Sequence, residues 1–212
     1  ARDIKLGDTG SEIVAEIAYR PLRYRLGTVG VHIAVNSLAV VAVLDALQLP
    51  LEAATKPLAA ITPPVGRGAR TVLKSGDRSI LLIDESYNAN PASMRAAIAV
   101  LGAVSRSSYP RRVAVLGDML ELGDGAAQYH LGLAAPIDAA GVDLVLCCGP
   151  NMQKLFETLP DARRGTWAPD SAALITHVVD ALQPGDAVMV KGSLGSRMAP
   201  IVAAIKAKYS AA

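Results

Sequence analysis

Apolar and polar positions change their period along this chain, and the changes outline its elements. Residues 11–19 (Ser-Glu-Ile-Val-Ala-Glu-Ile-Ala-Tyr) and 22–26 (Leu-Arg-Tyr-Arg-Leu) alternate, with Arg20-Pro21 between them. Alternation on both sides of a proline-containing turn predicts an antiparallel hairpin. Two helices are expected next, over 31–47 and 51–60. The first is apolar on most of its faces, which predicts burial between other elements. The run Thr62-Pro63-Pro64-Val65-Gly66 then closes the segment, because two prolines cannot continue a helix. A domain boundary is expected there.

Beyond it, short apolar runs alternate with amphipathic stretches. Strands are expected near 70–74, 79–84, 112–117, 143–148, 166–168 and 186–191, and helices near 91–106, 125–140, 151–158, 171–183 and 196–208. Such alternation predicts an α/β fold with right-handed crossovers and a mainly parallel sheet. The first of these strands, joined to the second through Ser75-Gly76-Asp77, predicts an antiparallel hairpin at the sheet edge.

Composition narrows the class. Of 212 residues, 51% are hydrophobic but only 4% aromatic, so the core must be built from Ala, Val, Leu and Ile. A net charge of +2 without a dense Lys/Arg run argues against a nucleic-acid footprint. Asn36, Ser37 and Asp45 interrupt the apolar stretch that begins at Val31, so no membrane span is expected. The N-terminal residues carry no apolar signal region. Cys147 and Cys148 are adjacent in an apolar strand, which suits core packing rather than a disulfide framework. A soluble cytosolic α/β protein is the expected class.

Three strand ends gather the chemistry. Ser79-Ile-Leu-Leu-Ile83 runs into Asp84-Glu85-Ser86-Tyr87-Asn88-Ala89-Asn90-Pro91, and Pro91 opens a helix. Arg112-Val-Ala-Val-Leu116 leads into Gly117-Asp118-Met119-Leu120-Glu121-Leu122-Gly123, and Ala187-Val-Met-Val190 into Lys191-Gly192-Ser193. Open α/β sheets place ligands at such carboxyl ends. Tyr87, Asn88 and Asn90 can orient a peptide or amine without titrating, or can make turn contacts with their own backbone. Ser93 and Met94 fall in the first helical turn and are expected to cap or pack. Lys191 and Ser193, before a helix expected from Ser196, combine a cation, a hydroxyl and free N–H groups into a carboxylate site. Asp118 and Glu121 have no His or Cys neighbours in sequence and do not read as a metal site. His130 and His177 read as helix-face residues, and Trp167 as core or rim packing.

These three stretches, in this order, resemble the Mur ligase family. Gly30-x-His32-x-x-x-Asn36-Ser37-Leu38-Ala39 and Pro64-Val65-Gly66-Arg67 extend the resemblance, which runs from about residue 28 to the C-terminus. It implies a Rossmann-like C-terminal domain over 62–212. Residues 1–61 would be the C-terminal part of a central ATP-binding α/β domain whose start lies outside this sequence. The implied activity is ATP-dependent joining of D-alanyl-D-alanine to a UDP-N-acetylmuramoyl-tripeptide through an acyl phosphate, by a cytoplasmic monomer that binds neither nucleic acid nor membrane. No G-x-x-x-x-G-K-[ST] loop occurs here, so the phosphate loop and the Mg2+ ligands are expected upstream, and the isolated chain is expected to be inactive.

By resemblance, Arg67 reaches ATP, and a guanidinium suits phosphate. The same resemblance places Asp84 on the ribose and His32 and Asn36 near the adenine, with Ile33 departing from the family's usual asparagine. Tyr87, Asn88, Asn90, Lys191 and Ser193 would meet the incoming dipeptide. Leu194 stands where the family commonly has arginine, and Arg197 follows three residues later as a possible substitute. Arg67, Asp84 and Lys191 are the expected catalytic residues. A ligase for a single amino acid, a folylpolyglutamate synthase-like enzyme and a non-catalytic nucleotide-binding module remain alternatives.

Overall fold

The alternation over residues 11–26 does produce a hairpin, but its turn lies ahead of the proline. In the computed structural model, which describes residues 1–7 and 10–209, β1 (Asp3–Leu6), β2 (Ser11–Ile17) and β3 (Arg20–Leu26) form an antiparallel sheet in that order. The turn is Ala18-Tyr19, both left-handed (φ 46° and 63°), the backbone that joins two twisted strands most tightly. Pro21 sits within β3 opposite Glu16, which an edge strand tolerates.

Two compact units divide the chain, Ala1–Pro63 and Pro64–Ala212. In the first, Ile13, Ala15, Leu22, Tyr24 and Leu26 pack on Ala34 and Val41 of α1 (Val31–Ala46). Tyr24 donates its hydroxyl to Ser37 Oγ at 2.6 Å, and Ser37 passes its own proton to the Ala34 carbonyl. Burial of α1 is one-sided, contrary to the expectation from its composition. Val31, Val35, Val40, Val43 and Leu47 are exposed, because only one sheet face within this unit meets the helix. The second expected helix is also broken: α2 (Leu51–Ala54) gives way to a 3-10 turn over Lys56–Ala60. Pro57 has no N–H to continue an α-helix.

The second unit is a six-stranded sheet ordered β4-β5-β9-β6-β7-β8. Its strands are β4 (Ala69–Ser75), β5 (Arg78–Glu85), β6 (Arg111–Gly117), β7 (Leu144–Cys148), β8 (Arg164–Ala168) and β9 (Asp186–Lys191). β4 is antiparallel at one edge and the other five run parallel. Helices α3 (Pro91–Gly102), α4 (Ala126–Leu131), α5 (Ala134–Ala139) and α6 (Pro150–Thr158) connect strands before β8, while α7 (Ser171–Ala181) and α8 (Ala199–Lys208) follow later.

Side-chain alternation along the buried strands supplies both faces of this sheet. Ile83, Leu116, Val145 and Met189 pack with Met94, Ile98, Ile137 and Leu155 on one side. On the other, Leu82, Val115, Leu146 and Val190 pack with Leu174, Val178, Ile201 and Ile205. Cys147 and Cys148 fall on opposite faces, both buried.

Three helix boundaries differ from the periodic pattern. Residues 103–106 lie outside α3, the stretch 125–140 is split near Gly132, and no α-helix begins at Ser196. There a 3-10 turn (Leu194–Ser196) leads to a left-handed Arg197 (φ 50°), and Pro200 occupies the first turn of α8. A left-handed residue cannot continue a right-handed helix, so α8 starts after it.

Candidate functional site

The carboxyl ends of β5, β9 and β6 lie side by side, so the three polar stretches share one edge of the sheet. Glu85 pairs in register with Lys191, and Lys191 with Leu116. Glycines permit the close approach beyond the strands. A Cβ on Gly192 would stand 2.6 Å from Met198 Cγ and 3.1 Å from Gly117 Cα.

Asp84 is buried and its carboxylate is spent on local backbone. It accepts from the Gly66 N–H at 3.2 Å, the Ser86 N–H at 3.1 Å and the Ser86 hydroxyl at 2.6 Å. Its main-chain oxygen takes the Gly68 N–H. Asp84 thus builds the turn that carries Arg67, and its geometry is that of a turn anchor. Gly66 is required in that turn: φ is 75°, and a Cβ would lie 2.9 Å from Tyr87 Cβ. Arg67 is exposed, with its guanidinium 4.3 Å from the centroid of the Tyr87 ring.

Asn90 caps α3. Its Oδ1 accepts the Ser93 N–H at 2.8 Å while Ser93 Oγ accepts the Asn90 N–H at 3.0 Å, a reciprocal capping box. Met94 is core. Asn88 is exposed, and its Oδ1 accepts the Ala89 N–H. Of the three neutral polar side chains in this loop, Tyr87 and Asn88 face solvent without a capping duty.

Lys191 and Ser193 are both buried, which departs from the picture of an open carboxylate site before a helix. The Lys191 ammonium donates to the Asn88 carbonyl at 2.9 Å and to Glu85 Oε2 at 3.4 Å. Ser193 Oγ accepts the Leu120 N–H at 2.9 Å and donates to the Ala89 carbonyl at 3.3 Å. Its N–H goes to the Asp118 carbonyl. These groups stitch the three strand-end loops together.

Asp118 performs a similar duty at the next strand end. Its carboxylate accepts from the N–H groups of Asn151 (3.1 Å) and Met152 (2.8 Å) at the amino end of α6, where the helix dipole favours an anion. Gly149 (φ 106°) makes room, since a Cβ there would meet that carboxylate at 2.5 Å. Glu121 adopts left-handed backbone (φ 61°) in the same loop. His130 lies on the fully buried face of α4. Its Nδ1 meets the Ala126 carbonyl at 2.6 Å and its Nε2 accepts the Met119 N–H at 2.9 Å, which fixes the neutral Nδ1–H tautomer. His177 is an exposed helix-face residue, and Trp167 is half-buried with its indole N–H on the Gly149 carbonyl. In the first unit, His32 and Asn36 lie in the first two turns of α1, half-buried and exposed respectively, and Ile33 packs toward the sheet.

Beside these strand ends lies a cleft of about 310 Å³ lined by residues that include Asp118, Leu120, Gly149, Asp170, Ser171 and Arg197. Arg197 is exposed and makes no ion pair among the described residues. Ser171 was not singled out by the sequence; it opens α7 immediately after the cap Asp170, whose carboxylate takes the Ala173 N–H. Glu85 was read only as one of two adjacent acids, and its pairing with a lysine 106 positions away had no local signal. Among the described residues no group of three or more His, Cys, Asp or Glu side chains is placed to hold a metal ion. The buried carboxylates of Asp84 and Asp118 are taken up by backbone N–H groups, the Ser86 hydroxyl and the Asn151 amide, so these two acids do not fit a magnesium ion.

An open, mainly parallel sheet covered by helices on both faces, with its polar groups at the strand carboxyl ends, defines a ligand-handling α/β domain of the doubly wound type. Comparison with known proteins is specific. The Mur ligase, glutamate ligase domain family matches residues 69–194, and the chain belongs to that family. It is 31% identical to the UDP-N-acetylmuramoyl-tripeptide–D-alanyl-D-alanine ligase of Escherichia coli K12, covering 97% of this chain and 44% of that protein. Its identity to the ligase of the same name from Treponema pallidum is 32%, covering 84% of this chain and 38% of the other. The crystal structure of MurF from Acinetobacter baumannii superposes with a TM-score of 0.80 at 26% identity, over 96% of this chain and 43% of that one. The chain therefore spans about two fifths of the length of these relatives. No helix among the described residues is long and apolar enough to cross a membrane.

Proposed function

We propose that this chain is the C-terminal portion of an ATP-dependent ligase that joins D-alanyl-D-alanine to a UDP-N-acetylmuramoyl-tripeptide, the reaction partners in the names of its relatives. On this reading residues 62–212 are the C-terminal domain and residues 1–61 the end of a central ATP-binding domain. The exposed valines of α1 are surface that further residues of that domain would cover. ATP and Mg2+ would be held chiefly by those residues, with His32 and Asn36 beside the adenine, in a cytoplasmic enzyme acting as a monomer.

The observation that carries the reading is Arg67. Its guanidinium is oriented by the Tyr87 ring, raised on a turn that Asp84 anchors, and among the described residues has no hydrogen-bond acceptor. A preoriented arginine matches a phosphate with little entropy left to lose. Asp84 serves the nucleotide through that turn. Lys191, Ser193 and Asn90 hold the loops, while Tyr87 and Asn88 face the ligand. The free carboxylate of the dipeptide would find its cation at Arg197, which lines the same cleft as Ser171.

The test is ADP release by the full-length parent with UDP-muramoyl tripeptide, offering D-alanyl-D-alanine against D-glutamate and meso-diaminopimelate. Turnover with the dipeptide alone is expected, and none from residues 1–212 by themselves. Turnover with a single amino acid alone would move the protein to a sister ligase. No turnover with any acceptor would revive a non-catalytic nucleotide-binding module.

A further inference from the structure

Glu85 has no role in the reading above, yet its position is demanding. It is the last residue of β5 and lies in register with Lys191, the last of β9. Its side chain is 14% exposed and that of Lys191 is 3% exposed. An ammonium so buried must be paired or it destabilises the fold. Lys191 has three N–H donors; one meets Glu85 Oε2 and another the Asn88 carbonyl. A lysine placed this way cannot leave to meet a ligand without abandoning both partners.

The Asn88 carbonyl belongs to the short loop between β5 and α3. Most of that loop is anchored by neutral or local bonds: Ser86 on Asp84, the Tyr87 N–H on the Gly66 carbonyl, the Ala89 carbonyl on Ser193, and Asn90 in its capping box. Asn88 is the point where the loop turns outward with its own side chain and that of Tyr87 exposed, and Lys191 holds its carbonyl from below. Tyr87 in turn carries Arg67.

We propose that Glu85 is a positioning residue: by fixing the Lys191 ammonium on the Asn88 carbonyl, it sets the Tyr87–Asn88 loop and, through the Tyr87 ring, the Arg67 guanidinium that receives a phosphate-bearing ligand. The inference rests on the proposed nucleotide role of Arg67. Electrostatics support the geometry. Burial pushes the Lys191 pKa below the ordinary lysine value, Glu85 pulls it back up, and Arg67 lowers it again. These are the charged groups facing the ammonium, one from the strand beside it and one from the 66–68 turn. Without the Glu85 carboxylate, Lys191 gives up its proton more readily and its hold on the loop weakens.

The experiment is steady-state kinetics of the full-length parent carrying Glu85→Gln, varying ATP, tripeptide and dipeptide in turn from mildly acidic to mildly alkaline pH. The expected result is a rise of about tenfold in KM for ATP, the scale of one charge-assisted hydrogen bond, with little change in kcat. That defect should grow as pH rises, because an ammonium without its carboxylate gives up its proton at lower pH than in the parent. In the double variant Glu85→Gln/Lys191→Met the buried pair is replaced by neutral side chains of similar length, which leaves folding nearly unchanged. It should keep the raised KM for ATP and lose the pH dependence of the defect. An unchanged KM for ATP in both variants, or an equal loss for all three substrates at every pH, would overturn the proposal. If the wild-type parent turns over no acceptor, the ligase reading fails separately, and amide NMR of residues 1–212 decides this one. Glu85→Gln must then shift the Tyr87, Asn88 and Ala89 amides while leaving those of α7 in place, and unmoved loop amides would refute the positioning role.

Discussion

Ser193 Oγ bridges two loops that leave different strands, taking the Leu120 N–H at 2.9 Å and giving its proton to the Ala89 carbonyl at 3.3 Å. Its own N–H reaches the Asp118 carbonyl. A hydroxyl used in both directions has its only proton committed, so in this structure Ser193 holds the two loops together. Ser193→Ala should leave the Leu120 N–H without its acceptor and cost about 1–2 kcal/mol of stability. Urea unfolding followed through Trp167, the only tryptophan of the chain, reads this directly. A variant as stable as the parent would show that water replaces the hydroxyl and that the bridge is dispensable.

The adjacent thiols of β7 provide a pH test of the core. Burial, reinforced by neighbouring negative charge, raises Cys147 and Cys148 from an ordinary value of 9.0 to about 12. A raised folded-state value stabilises the fold fully below the unfolded value and ceases to do so as pH climbs through the folded one. Thiol-linked stability should therefore hold up to about pH 9 and decline between about pH 9 and about pH 12. Below that range the native protein should resist a thiol-specific alkylating reagent and react at both positions once unfolded in urea. Fast alkylation of the native chain near neutral pH would mean that β7 opens.

The strands of the second unit were legible because each is a short apolar run bounded by turn residues, and a sheet buried on both faces needs that pattern. The family motifs fixed which strand ends carry polar groups, and three of those ends prove to be neighbours. What escaped the sequence was the fate of each polar side chain. Lys191 reads as an exposed cation until register places Glu85 beside it, a pairing that spans 106 positions. Asp84 reads as a nucleotide contact by resemblance and Asp118 has no assigned role, and in the structure N–H groups brought by the Gly66 turn and the amino end of α6 occupy their carboxylates. Helix breaks followed another rule. Pro57 broke a helix that periodicity alone would have run through, and the left-handed Arg197 delayed the start of another.

Arg197 is the side chain for which this redistribution makes the sharpest functional claim. On the proposed reading, with Lys191 held by Glu85 and Asn88, a dipeptide carboxylate near the β9 end would meet the exposed Arg197 guanidinium, which lines the same cleft as Ser171. The left-handed backbone at Arg197 is a conformation that costs an ordinary residue energy, and a small loss of local stability is already present there. Arg197→Gln in the full-length parent should raise KM for D-alanyl-D-alanine about tenfold or more, the scale of a lost charge-assisted contact, without changing KM for ATP. Ser171→Ala should give a smaller rise in the same parameter, because a neutral hydroxyl contributes less to a carboxylate than a guanidinium does. Arg67→Gln should show the opposite pattern, with ATP affected and the dipeptide spared. Identical dipeptide KM values for parent and Arg197→Gln, measured at saturating ATP and tripeptide, would remove Arg197 from the acceptor site and return the carboxylate to the Asn88 side of the strand ends.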